Sequence, residues 1–364
     1  MTAVPDTETG SGWFSDHRVV LCLGSGGVGK TTVAAALGVA LSQQGERVVV
    51  LTIDPAHRLA DALGVDKDLG NEPHKVVVHD NGGELWATML DPAETFEAVV
   101  REESQSEDQA ERILNNRLFR NLTRSLSGTN EYMATERLHQ LHSDLRFDRI
   151  VVDTPPSRHV LDFLDSPGRL SRFVNHRLYR TVFAPQGVLR TVSVGARLVL
   201  RLLGRIVGSR LVDDVVTFFA NFEGLDAGFD RRAVEMNRIL EEETGFVLVT
   251  APRRQALEEA DWIAKNVERR VGPVDALIVN RTCPVAPASP ISADAVDEDG
   301  AASADPLAVN LAQLQALAAH EEAMVDEFVV STGGDGAAVI RLSERARPVA
   351  DLQALGELAA ELFG

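Results

Sequence analysis

The chain has 364 residues, 45% hydrophobic and 25% charged, a globular balance with room for one large α/β domain or two medium ones. A formal net charge of −18 argues against a general nucleic-acid surface, so no nucleic-acid partner is expected. Two cysteines, Cys22 and Cys283, exclude a disulfide framework and fit a reducing cytoplasmic compartment, and no uncharged apolar run reaches the roughly 18 residues of a membrane span.

Residues 1–14 are polar and acidic, lack the order of a signal peptide and read as a flexible start. Arg18 to Gly24 (RVVLCLG) reads as a short buried strand ending in glycine, and Lys30 to Gln44 has helical spacing with an alanine-rich centre. Further buried strands are expected at Arg47 to Ile53, Leu85 to Leu90, Arg149 to Asp153, Phe246 to Ala251, Val274 to Val279 and Ala337 to Leu342. Apolar strands separated by helices imply an α/β fold, a mostly parallel sheet covered on both faces. Two stretches interrupt the alternation, about 92–146 and 168–222, and both read as helical insertions forming a subdomain. Pro284 to Pro306, rich in Ala, Pro, Ser and Asp, reads as a flexible acidic loop. No internal repeat is present.

Three segments carry chemistry. Between the first strand and helix lies Gly24-Ser25-Gly26-Gly27-Val28-Gly29-Lys30-Thr31-Thr32, which satisfies G-x-x-x-x-G-K-[ST]. Its glycines let successive backbone N–H groups turn toward phosphate oxygens, and the helix directs its positive end at the same charge. Lys30 is expected on the β- and γ-phosphates and the Thr31 hydroxyl on Mg²⁺. The second segment, Asp54-Pro-Ala-His57-Arg-Leu, ends the second strand, where a carboxylate can orient the attacking water, although Asp-Pro also opens ordinary turns. The third, Asp153-Thr-Pro-Pro-Ser-Arg158-His159, follows the strand RIVV. Asp153 can hold Mg²⁺, directly or through water, or simply cap the next helix. Thr31, Asp54 and Asp153 are thus the candidate oxygen donors for the metal.

Taken together, GSGGVGKTT, DPAHRL and DTPPSRH resemble the P-loop and the two switches of the arsenical-pump and tail-anchored-protein-targeting ATPases, deviant-Walker P-loop proteins grouped with MinD and ParA. Leu90–Pro92 (LDP), Gly128–Met133 (GTNEYM) and Ile278–Arg281 (IVNR) fit the same pattern. The resemblance implies one ATPase domain over residues 15–364 that binds ATP and Mg²⁺ and hydrolyses ATP. It implies a dimer closing around two nucleotides and coupled to a client. His57, Asp153, Arg158 and His159 would belong to the switches, and Asn280 would read the base.

One departure matters. The family's signature lysine, second in the P-loop motif, is Ser25 here, and a serine supplies no positive charge. Slow hydrolysis by the chain alone is therefore expected, with Arg158, Arg58 or a lysine-bearing paralogue supplying the cation. The working dimer is then a homodimer or a heterodimer with a related ATPase. The alternative is a catalytically weak nucleotide-binding scaffold subunit of a heteromeric ATPase. No C-x-x-C pair or thiol cluster supports zinc or arsenite chemistry, and both cysteines read as packing residues. From Arg169 to Arg210 the sequence holds nine arginines and no Asp or Glu. Arg197, Arg201 and Arg205 form one stripe at i, i+4, i+8 on an apolar stretch. Such a segment reads first as a helix packed against the acidic residues at 102–111, and alternatively as a surface for a hydrophobic client or a membrane-associated partner, with peripheral membrane placement.

Overall fold

The computed structural model describes residues 17–54, 56, 58–65, 69–116, 129–156, 158–167, 226–284, 306–332 and 337–363. Residues 1–14, the whole of 168–222 including the basic segment 169–210, and residues 285–305 lie outside the described residues. Eight strands are described: β1 (Val19–Gly24), β2 (Arg47–Thr52), β3 (His74–Val78), β4 (Glu84–Met89), β5 (Arg149–Asp153), β6 (Thr244–Thr250), β7 (Ala276–Thr282) and β8 (Ala338–Ser343). They form one sheet in the order β3-β4-β2-β5-β1-β6-β7-β8. All seven expected strands are present, with ends displaced by at most three residues.

The eighth, β3, was not expected. It pairs antiparallel with β4 at the sheet edge, while every other pairing is parallel. None of its residues is fully buried, and Val78 is 57% exposed. Its apolar run is only Val76 to Val78, flanked by His74, Lys75 and His79, too short to be read as a strand from sequence.

Alternate side chains of the central strand feed two cores, as the pleat demands. Val19, Leu21 and Leu23 join one core with α3 (Pro92–Glu103), α4 (Glu107–Leu114), α5 (Thr129–Ser143), α6 (Arg158–Asp165), α7 (Asp226–Glu242), α8 (Arg254–Glu268) and the end of α9 (Pro306–Ser331). Val20 and Cys22 join the other, with α1 (Lys30–Gln43), α2 (Arg58–Leu63) and α10 (Leu352–Phe363). Within the helical stretch 92–146, Val99, Val100, Met133 and Leu138 share a core with Val49 and Ile150 of the sheet. These helices therefore bury their apolar stripes in the core on one face of the sheet.

α1 is buried on the sheet side and on the side facing α10, which explains its alanines. A Cβ at Gly38 would stand 2.5 Å from Val50 Cγ2, so only a small residue permits this approach. α3 begins where sequence chemistry directs: Asp91 accepts hydrogen bonds from the N–H groups of Ala93 and Glu94, and Pro92 takes the first turn.

Glu102 and Glu103, at the end of α3, are engaged by α7. Arg232, 6% exposed, meets Glu102 at 2.6 Å, Glu103 at 2.7 Å and Glu136 at 3.1 Å. Burial pushes the Glu136 carboxyl upward, while the Tyr132 hydroxyl and Arg232 pull it back. No helix among the described residues is long and apolar enough to cross a membrane.

Candidate functional site

The connection from β1 leads to β2 on one side of the sheet, while β6 lies against β1 on the other. Such a reversal opens a crevice at the carboxyl ends of the strands, the place where open α/β sheets bind ligands. The glycine-rich segment occupies it. Gly24 ends β1 with φ 149°, Gly27 has φ 78°, and Gly29 has φ 99° at the N-cap of α1. The intervening Ser25 and Val28 are 5% and 3% exposed.

Lys30 is 8% exposed, and its Nζ donates to the Ser25 carbonyl at 2.8 Å, so the ammonium is held within the loop. Burial pulls its pKa below the ordinary lysine value, against the attraction of Asp153 and Asp54. β5, hydrogen-bonded to both β1 and β2, brings Asp153 beneath the same loop. The Thr31 hydroxyl donates to Asp153 Oδ2 at 2.7 Å and the Thr52 hydroxyl to the same oxygen at 3.0 Å. Asp153 is 1% exposed, and burial pushes its carboxyl above the ordinary range, while the two hydroxyls and Lys30 pull it down.

Asp54 follows β2 on the other wall. Its Oδ1 accepts the Ala56 N–H at 3.0 Å, and its Oδ2 lies 3.4 Å from Arg58 Nη1. Gly26, Gly27, Lys30, Thr31, Asp54 and Arg58 border one cleft of about 780 Å³. A second hollow of about 450 Å³ adjoins it, sharing Gly29, Thr32 and Arg281 and walled by Ser343 to Val349 beyond β8.

Asn280, at the end of β7, staples the loop. Its Nδ2 donates to the Val28 carbonyl at 2.8 Å, and its Oδ1 accepts the Arg281 N–H at 3.0 Å. A Cβ at Gly29 would stand 2.3 Å from that Nδ2, so the glycine is required by contact as well as by its φ. Asn280→Ala should cost about 1–2 kcal/mol of stability through the unpaired Val28 carbonyl. Thermal unfolding would read this as a lower Tm, and an unchanged Tm would mean that the loop holds its shape without the staple.

The fold thus brings together Gly24 to Thr32, Asp54, Asp153 and Asn280. His57 lies outside the described residues, and so do the side chains of Arg158 and His159, the first two residues of α6. Sequence reasoning missed Thr52, which orients Asp153, and Thr154, whose hydroxyl donates to the Cys22 carbonyl at 2.6 Å. It also missed the Ser343–Val349 wall, for which no local signal exists because it depends on β8 lying beside β7.

Chemically, this is a cradle for a polyanion. Backbone N–H groups at a helix start, a buried ammonium and a hydroxyl-carboxylate pair face one cleft. The pair also meets the test for a hard cation, since Thr31 on the cleft wall and buried Asp153 bonded to it offer oxygen donors side by side. Among the described residues no cluster of three His, Cys, Asp or Glu side chains is present, so a cation here would take its other oxygens from ligand and water.

Comparison with known proteins supplies the context. A family model described as anion-transporting ATPase matches residues 17–295. The ATPase GET3 of Mycosarcoma maydis is 34% identical over 149 residues, covering 41% of this chain and 42% of that protein. The ATPase GET3 of Malassezia globosa is 30% identical over 153 residues, covering 42% and 43%. The ATPase ARSA1 of Chlamydomonas reinhardtii is 27% identical over an alignment that takes in 96% of this chain and 42% of that protein. The matches span under half the length of each of these relatives. With the match covering most of its length and the P-loop geometry in place, this chain belongs to the anion-transporting ATPase family.

Proposed function

We propose that this chain binds ATP with Mg²⁺ and hydrolyses it, as a dimer whose nucleotide state is coupled to a client or a membrane-associated partner. The observation that carries this reading is the convergence of Lys30, Thr31 and Asp54 on one cleft, with buried Asp153 hydrogen-bonded to Thr31 behind it. Lys30 would grip the β- and γ-phosphates, while Thr31 and Asp153 would hold Mg²⁺. The bound cation would neutralise charge on the phosphate oxygens. Asp54, on the same cleft as Lys30, would orient the attacking water; its Oδ1 is committed to the Ala56 N–H and its Oδ2 lies beside Arg58. Asn280 acts in this scheme first as the staple of the loop, since both its amide atoms are engaged by backbone.

Ser25 bears on partnership. It is uncharged and nearly buried, so turnover by this chain alone should be slow and should rise with a partner subunit that contributes a cation. The test is phosphate release under single-turnover conditions, with and without titrated lysine-bearing paralogue. Slow turnover of MgATP alone and a faster rate with the partner are expected. MgATP bound tightly in calorimetry but never hydrolysed under either condition would favour the scaffold reading, and no MgATP uptake would end the proposal.

A further inference from the structure

Arg281 is the one non-glycine residue among the described residues with a positive φ, 63°. That conformation is uncommon for an arginine and carries a steric cost that surrounding structure must sustain. Two features sustain it. Asn280 Oδ1 accepts the Arg281 N–H at 3.0 Å. The β7–β8 register also slips here: Asn280 pairs with Leu342 and Thr282 with Ser343, leaving Arg281 as the extra residue of a bulge. Bulges beside active sites re-aim a side chain out of the ladder.

The direction of that re-aiming is visible in what Arg281 borders. It lines the 780 Å³ cleft with Lys30 and Asp54, the adjoining 450 Å³ hollow with Gly29 and Thr32, and a third hollow outside Gly26 and Gly27. It therefore stands at the lip where the two nucleotide-sized spaces meet. Its side chain is exposed, and no ion pair engages it among the described residues. The other cations of the cleft are committed, Lys30 to the Ser25 carbonyl and Arg58 to Asp54. Opposing them on the same walls are Asp54 and Asp61, so without Arg281 the lining has no surplus of positive charge for a polyphosphate.

We infer that Arg281 is a phosphate clamp: its guanidinium closes over the phosphates of a bound nucleoside di- or triphosphate at the junction of the two hollows. This rests on the nucleotide-binding reading of the cleft. A planar guanidinium offers two parallel N–H donors to phosphate oxygens, which a residue chosen only to fill a bulge would not need. Glycine would fill the bulge without strain. The side chain, rather than the backbone, thus accounts for an arginine at this φ.

The experiment is calorimetric titration of MgADP into wild type, Arg281→Gln, Arg281→Gly, Arg253→Gln and Lys30→Met. Arg253 borders only the outer hollow, so it controls for net charge. Expected are an affinity loss of about 10- to 100-fold for both Arg281 variants and none for Arg253→Gln. Arg281→Gly should melt no lower than wild type, because glycine accepts this φ freely. MgADP affinity equal to wild type in both Arg281 variants, with Lys30→Met still impaired, would overturn the clamp and leave the nucleotide site standing. An equal loss in Arg253→Gln would also overturn it, in favour of a general field effect. Failure of wild type itself to take up MgADP would instead remove the nucleotide reading on which the clamp depends.

Discussion

Asp54→Asn should lower the rate of ATP hydrolysis by about 10²- to 10⁴-fold, the range lost when a positioned acid–base or water-orienting group is removed. Asparagine keeps the shape of the side chain and an oxygen for the Ala56 N–H, so the turn after β2 survives. It loses the negative charge that faces the cleft and pairs with Arg58. Lys30, Thr31 and the loop backbone are untouched, so MgATP should still bind. Single-turnover phosphate release alongside calorimetry separates the two effects. An unchanged rate would mean that water is oriented elsewhere, and a simultaneous loss of binding would mean that Asp54 shapes the cleft rather than serving the reaction.

Gly24→Ala should be severely damaging. A Cβ there would fall 2.2 Å from the carbonyl oxygen of Val249, which is backbone of the neighbouring central strand. The residue also has φ 149°, a conformation alanine rarely adopts. Relief would require β1 and β6 to separate in the middle of the sheet, where Leu23, Leu248 and Val249 are fully buried. A loss of roughly 4–5 kcal/mol of stability is expected, or failure to fold. Denaturant unfolding checks this, with Gly27→Ala as a comparison, since nothing lies within 4 Å of a Cβ at Gly27. Equal stability of the two variants would show that the strand crossing is softer than its contacts indicate.

The two substitutions draw on different layers of information. The strand RVVLCLG, the glycine-rich turn and Lys30 to Thr32 are legible in sequence because each is a local pattern of fixed length. The edge strand β3 was not, because HKVVV keeps only part of its surface from solvent. Asp153 could be suspected from RIVVD but not distinguished from a helix cap. The structure adds a pair of hydroxyls, Thr31 and Thr52, that converge on its Oδ2 from different elements. Arg281 gave no signal in the sequence, because its role follows from a register slip between β7 and β8.

Sequence by itself determined the class of fold, the order of most strands along the chain and the glycine-rich turn, since hydrophobic periodicity and glycine spacing act over a few neighbouring residues. Only the tertiary structure decided that Asp153, Asp54 and the Asn280–Arg281 bulge surround that turn. Which strand lies beside which, and in what register, is set by the summed packing of two cores on opposite faces of the sheet, and no short segment carries that sum.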